Sequence, residues 1–219
     1  MLNKITLTLL ILMTASFAQN LQIHYEASED REYFVSTLEM FKPDNYGSTF
    51  WFVDMEYDAP GKIKGASLAY WEIARNFTLP INNLSASIQY NDGVANFGNL
   101  GQTWLIGVSY YLDLGFTALP IDILYRSVQG ADAHDFQLTT SWYIPLLDDN
   151  IEFSGFVDIW SQDVRLDGDK ELVLLSEPQL WYNANEHFSI GSEIEISKNF
   201  VYGEKGIQAL PTIGLRWTF

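Results

Sequence analysis

Pro211-Thr212-Ile213-Gly214-Leu215-Arg216-Trp217-Thr218-Phe219 ends the chain with two chemistries taking turns. Side chains of an extended segment point alternately to opposite faces, so Pro211, Ile213, Leu215, Trp217 and Phe219 share one side and Thr212, Gly214, Arg216 and Thr218 the other. The same period of two recurs upstream. In 84–91, Leu84, Ala86, Ile88 and Tyr90 alternate with Ser85, Ser87, Gln89 and Asn91. In 188–197, Phe188, Ile190, Ile194 and Ile196 alternate with Ser189, Gly191, Glu193, Glu195 and Ser197, and Ser192 is the one polar residue on the apolar side. These are strands with one oily and one wet face.

Extending the pattern predicts twelve strands, at 21–27, 31–41, 49–57, 66–76, 84–91, 102–113, 119–127, 134–144, 151–161, 171–182, 188–197 and 209–219. Turn-forming runs separate them, among them Asp44-Asn45-Tyr46-Gly47, Asn91-Asp92-Gly93, Asp148-Asp149-Asn150 and Gly203-Glu204-Lys205-Gly206. Ten strands is the alternative count, because 21–27 is short and the pattern splits around Phe200. No linker or low-complexity tract interrupts the series, so 19–219 reads as one domain.

Composition narrows the class. The 219 residues carry 28 acidic against 12 basic side chains, a net charge of −16, which phosphate backbones would repel; nucleic acid is not an expected partner. Beyond the first twenty residues no run is long and apolar enough to cross a bilayer as a helix. With no cysteine, disulfides, thiolate metal sites and cysteine nucleophiles are excluded together. Aromatic residues reach 15%, more than a soluble domain of this size needs and of the kind that gathers at membrane interfaces. At the start, Lys4, the apolar Ile5 to Met13 and Ser16-Phe17-Ala18 match a cleavable secretory leader, so residues 1–18 are expected to be a signal peptide and the protein exported.

Alternation suits a soluble sandwich and a membrane barrel equally. Three further features favour an all-β, transmembrane, antiparallel up-and-down barrel of about 12 strands in a bacterial outer membrane. Alternate apolar residues ending on Phe219 are similar to the C-terminal signal of outer-membrane barrels, which implies the barrel-assembly machinery as a partner. Strands of about ten residues, tilted ~40°, cover roughly 25 Å, the height of an outer-membrane apolar band. With the N-terminus in the periplasm, the oily-face aromatics sort into two belts. Tyr57, Tyr90, Trp104 and Tyr125 lie toward the exterior; Trp51, Tyr110, Trp142, Tyr182, Phe188, Trp217 and Phe219 lie toward the periplasm. Outer-membrane lipid and lipopolysaccharide would surround them. Arg75, on the oily face, is tolerable only at the periplasmic rim. An even strand count also removes the open edge that lipid would leave unpaired.

Twelve tilted strands leave a bore on the order of 10 Å once side chains point inward. Its wall is expected to carry Asp54, Glu56, Glu72, Asp113, Asp122, Glu152, Asp158, Glu177, Glu193 and Glu195 against Arg126 and Arg216. An acidic lumen favours cations and neutral polar solutes. Phe50, Phe52, Tyr111, Tyr143, Phe156 and Trp160 add flat faces on which a ring could stack. Taken singly, each carboxylate reads as a solvated or paired wall group; Asp122 and Arg126, four residues apart on one face, are as readily an ion pair as solute contacts.

Five stretches resemble the Tsx-like, nucleoside-specific channel-forming outer-membrane family, in particular a branch carried as a domain of unknown function. They are 39–57 (EMFKPDNYGSTFWFVDMEY), 70–75 (YWEIAR), 176–182 (SEPQLWY), 191–195 (GSEIE) and the C-terminal 211–219 (PTIGLRWTF). The resemblance implies a narrow monomeric twelve-stranded barrel through which nucleosides pass between aromatic and ionisable wall residues. It points to Phe50, Phe52, Asp54, Glu72, Glu177 and Trp181 as wall residues.

Other classes find less support. His24, His134 and His187 fall in or beside separate connections, and no Gly-x-Ser-x-Gly nucleophile accompanies them, so no enzymatic activity and no cofactor are expected. Asp163, Asp167, Asp169 and Glu171 crowd one connection but miss the calcium-loop spacing; a solvated acidic loop is the plainer reading and no metal site is expected. A closed barrel serving adhesion or structure is the remaining alternative, and its long external loops are missing.

Overall fold

The structure, a computed structural model, describes residues 18–28, 31–59, 64–131, 135–163, 169–200 and 206–219. Fourteen strands alternate with short connections: β1 (Ala18–Glu26), β2 (Tyr33–Asp44), β3 (Gly47–Tyr57), β4 (Ala66–Thr78), β5 (Leu84–Ala95), β6 (Gly98–Asn99), β7 (Thr103–Asp113), β8 (Ala118–Val128), β9 (Asp135–Leu146), β10 (Ile151–Gln162), β11 (Glu171–Ser176), β12 (Gln179–Asn183), β13 (Phe188–Lys198) and β14 (Ile207–Thr218). Each pairs antiparallel with its neighbours, β14 pairs with β1 and β9 with β10, so the sheet closes on itself. Closure leaves no edge to be satisfied by water or lipid.

Twelve staves make the barrel, as expected, and the alternative of ten is set aside. The two-residue β6 only extends the end of β5. β11 and β12 are halves of one stave, since Val157 opposite Ser176 and Ser154 opposite Gln179 belong to one uninterrupted register. Pro178 causes the break, because it has no N–H to donate to the ladder. The backbone still bridges the gap, with Glu177 N–H donating to the Phe156 carbonyl at 3.2 Å and Ile194 N–H to the Pro178 carbonyl at 3.1 Å. Strand bounds otherwise move by a few residues. β1 starts at Ala18 rather than 21, and β5 runs through Asn91-Asp92-Gly93 to Ala95, so that expected turn is strand.

The alternation resolves into inside and outside. On β5, Ser85, Ser87, Gln89 and Asn91 are each at most 9% exposed, whereas Ile88 is 37% exposed on the outer face. Ile106, Ile123, Leu138, Ile213 and Leu215 are likewise exposed outside, an apolar surface suited to acyl chains rather than water. Aromatic pairs cross between adjacent staves on this surface. Tyr90–Trp104, Tyr125–Phe136 and Tyr25–Phe34 lie toward one end, and Trp142–Phe153 and the stacked His187–Trp217 toward the other. The start of β1 and the C-terminal Phe219 sit at that second end, where Phe219 N–H donates to the Gln19 carbonyl and the described connections are shortest. Arg75 is there too: its guanidinium donates to both oxygens of Asp44 at the end of β2 and to Thr49 Oγ1, and so leaves the apolar band. The expected leader falls on residues 1–17, outside the described residues, and on Ala18, whose backbone begins β1.

Candidate functional site

Sixteen of the expected wall residues lie on the inward phase of their strands: Phe50, Phe52, Asp54 and Glu56 on β3, Glu72 on β4, Asp122 and Arg126 on β8, Glu152, Phe156, Asp158 and Trp160 on β10, Glu177 between β11 and β12, Trp181 on β12, Glu193 and Glu195 on β13, and Arg216 on β14. They do not form one patch. Three levels stack along the bore, each with its own chemistry.

The level nearest the termini is closed by a cross-bore clamp. Arg216 donates both terminal nitrogens to Glu152, each at 2.7 Å, and its guanidinium lies 4.7 Å from the Trp181 ring centroid. Trp181, Gly191 and Gly214 are successive partners across β12, β13 and β14. A Cβ on Gly191 would come within 2.4 Å of the indole, so the ring lies flat on a wall stripped of side chains. Trp181 is wholly buried with Arg216 over its ring, so this wall residue presents no bare stacking face to the bore. Beside it a chain of hydrogen bonds runs Thr212–His24–Gln22–Asn20–Glu39. His24 therefore sits inside the barrel, not beside a connection. Gln22, His24 and Glu39 were legible from the phase of β1 and β2, where Leu21, Ile23 and Tyr25 mark the outer face.

The opposite end is lined by paired charges. Arg31 bridges Glu26 and Glu195, Lys170 meets Asp135, and Ser161 also donates to Asp135. Trp160 donates its indole N–H to Gln162, with Arg126 over its ring and the Phe200 ring at its edge. Of the two readings left open for Asp122 and Arg126, the ion pair is not formed: Asp122 accepts from Gln89 at 3.1 Å, and Arg126 reaches Gln162 at a long 3.4 Å. Asp113 stands at the terminal rim and accepts from the Gly115 N–H of a turn, so it is a turn cap rather than a bore lining.

Between these levels lies a belt of carboxylates. Asp54, Glu72, Asp158 and Glu193 each fall near the middle of their strands, and Glu177 sits at the β11/β12 break, so all five share the mid-height of the barrel. They come from opposite walls: Glu72 on β4 and Asp158 on β10, and Asp54 on β3 and Glu177 and Glu193 on the β11/β12 stave and β13. Their near neighbours are neutral. Thr37 serves Asp54, Tyr70 and Asn91 serve Glu72, Thr139 serves Asp158 and Gln179 serves Glu193. Among the described residues no lysine or arginine lies within ion-pair distance of these five. The Phe50–Phe52–Tyr70 ring cluster lines the same wall. Leu105 and Leu124, inward on β7 and β8, have no exposed surface, so side chains fill that sector of the bore.

A polar-filled, apolar-coated closed barrel is the architecture of an outer-membrane porin. Two solved porins share it: the NanC porin, with a TM-score of 0.59 and 10% identity over 92% of this chain and 99% of that one, and the KdgM porin, with 0.52, 7% and the same coverage. The chain belongs to the DUF5020 family, a domain of unknown function whose model matches residues 18–219. No curated protein matches the sequence.

Proposed function

We propose that this protein is a bacterial outer-membrane channel for passive diffusion of small polar solutes, with nucleosides the first class to test. The observation that carries the reading is the unpaired mid-height carboxylate belt, because a barrel needing only a packed interior would neutralise those charges as it does at both ends. Rings of acidic side chains set selectivity in cation-conducting pores. The inward Phe52 and Phe156 supply faces for a flat solute, in keeping with the Tsx-like resemblance. No reaction is part of this reading. Lipid and lipopolysaccharide would contact the outer face, and the assembly machinery would read Phe219.

Single-channel recording on the purified barrel tests it. Discrete conductance steps, with current interruptions that grow with nucleoside concentration, are the expected result. A barrel that conducts no ions would instead point to the structural alternative, and steps indifferent to nucleosides would remove that solute class.

A further inference from the structure

The clamp near the termini reaches further round the bore than its ion pair. Arg216 on β14 holds Glu152 three staves away on β10, and also donates to Asn183 Oδ1 on β12, which accepts from Ser189 on β13 at 2.7 Å. On the other flank Gln22, the register partner of Arg216, donates to Asn20 at 3.0 Å, and Asn20 donates to Glu39 on β2. Side chains from six consecutive staves, half of the wall, thus meet in one arc. Arg216 and Glu152 are each 7% exposed, and Gln22 and Ser189 are buried beside them, so the arc is packed rather than water-filled. Elsewhere round the bore Ser85, Ser87 and Ser109, in the halves of β5 and β7 nearest the termini, are buried as well. Inward side chains that short show surface where a bore is open; here they are covered.

One polar atom of the arc is unsatisfied. Arg216 Nε is buried and, among the described residues, has no hydrogen-bond partner, although both terminal nitrogens are held by Glu152. A buried donor left unmet is a cost that the closed arrangement carries and a hydrated guanidinium would not. We infer that the arc is the constriction of the channel and that the Arg216–Glu152 pair is its latch, so that the pair sets the size of solute that passes. Wider passage requires the guanidinium to leave Glu152.

The inference rests on the channel reading and locates its narrowest level. Arg216→Ala together with Glu152→Ala removes both charged ends at once and strands neither. On barrels whose folding is checked by heat-modifiable gel mobility, this double variant is expected to raise single-channel conductance several-fold and to admit larger neutral polyethylene glycols than the parent does. Arg75→Gln with Asp44→Asn, which removes an ion pair at the same end but outside the bore, should keep the parent's values. An alanine double variant with the parent's conductance and polymer cut-off overturns the inference and leaves the channel reading standing. A silent parent beside a conducting double variant supports the latch and removes free diffusion through the closed form. If neither carries current, both readings fall. Should the double variant not reach the compact form, the conducting parent decides. Polymers added at the end nearest the termini are expected to be excluded at a smaller size than polymers added at the other end, and equal cut-offs overturn the inference.

Discussion

Arg216 shows how one inward charge is made tolerable in a bore this tight. Its fork meets Glu152 in two parallel hydrogen bonds, a third reaches Asn183 at 3.3 Å, and its flat face covers Trp181. Removing one member of a buried pair strands the other, which typically costs about 3 kcal/mol, whereas replacing both with apolar groups of similar volume is far less damaging. Arg216→Met is therefore expected to lower unfolding stability by about that amount in a denaturant titration from lipid, and adding Glu152→Leu should recover most of the loss. A single variant as stable as the parent would mean that the clamp is not a structural element. Sequence reading placed both residues inside through their phase. It could not pair them, because they lie 64 residues apart on staves that are not neighbours.

At the scale of the strand, glycines opposite tryptophans decide where the wall can be thin. Gly155 faces outward on β10 beneath the Trp142 indole and beside Pro178, at φ 150°, and a Cβ there would sit 2.5 Å from the Glu177 carbonyl oxygen and 2.9 Å from the Pro178 Cα. The glycine thus absorbs the break that the proline forces on the neighbouring stave, the same break that sets Glu177 in the belt. Gly155→Ala is expected to cost roughly 1–3 kcal/mol through backbone strain. It should also lower the temperature at which the compact gel form is lost. An unchanged transition would show that the seam relaxes without it. Strand positions were readable because period two persists in every stave. The segment 171–182 is expected as one strand; Pro178 within it is a residue that cannot donate to the ladder, but what it faces on β10 is fixed only by register.

For the whole molecule, the excess of acid over base is not spread evenly: bases neutralise both ends of the bore and spare its middle. A salt gradient across a bilayer holding the barrel should consequently give a reversal potential of cation selectivity, reduced in a Glu177→Gln and Glu193→Gln double variant. Anion selectivity would contradict the belt. The alternation, and with it the inward phase of the site residues, was legible in the amino-acid order alone, since alternation is a local property of each extended segment; the choice of twelve staves over ten came from the closed pairing of the barrel. Which inward groups meet was decided by the tertiary structure, because the tilt and stagger of the staves bring residues from distant strands to one height. The same tilt sets Arg216 on Glu152, leaves Asp122 and Arg126 apart, fills part of the bore with Leu105 and Leu124, and gathers five carboxylates that have no base within ion-pair distance among the described residues.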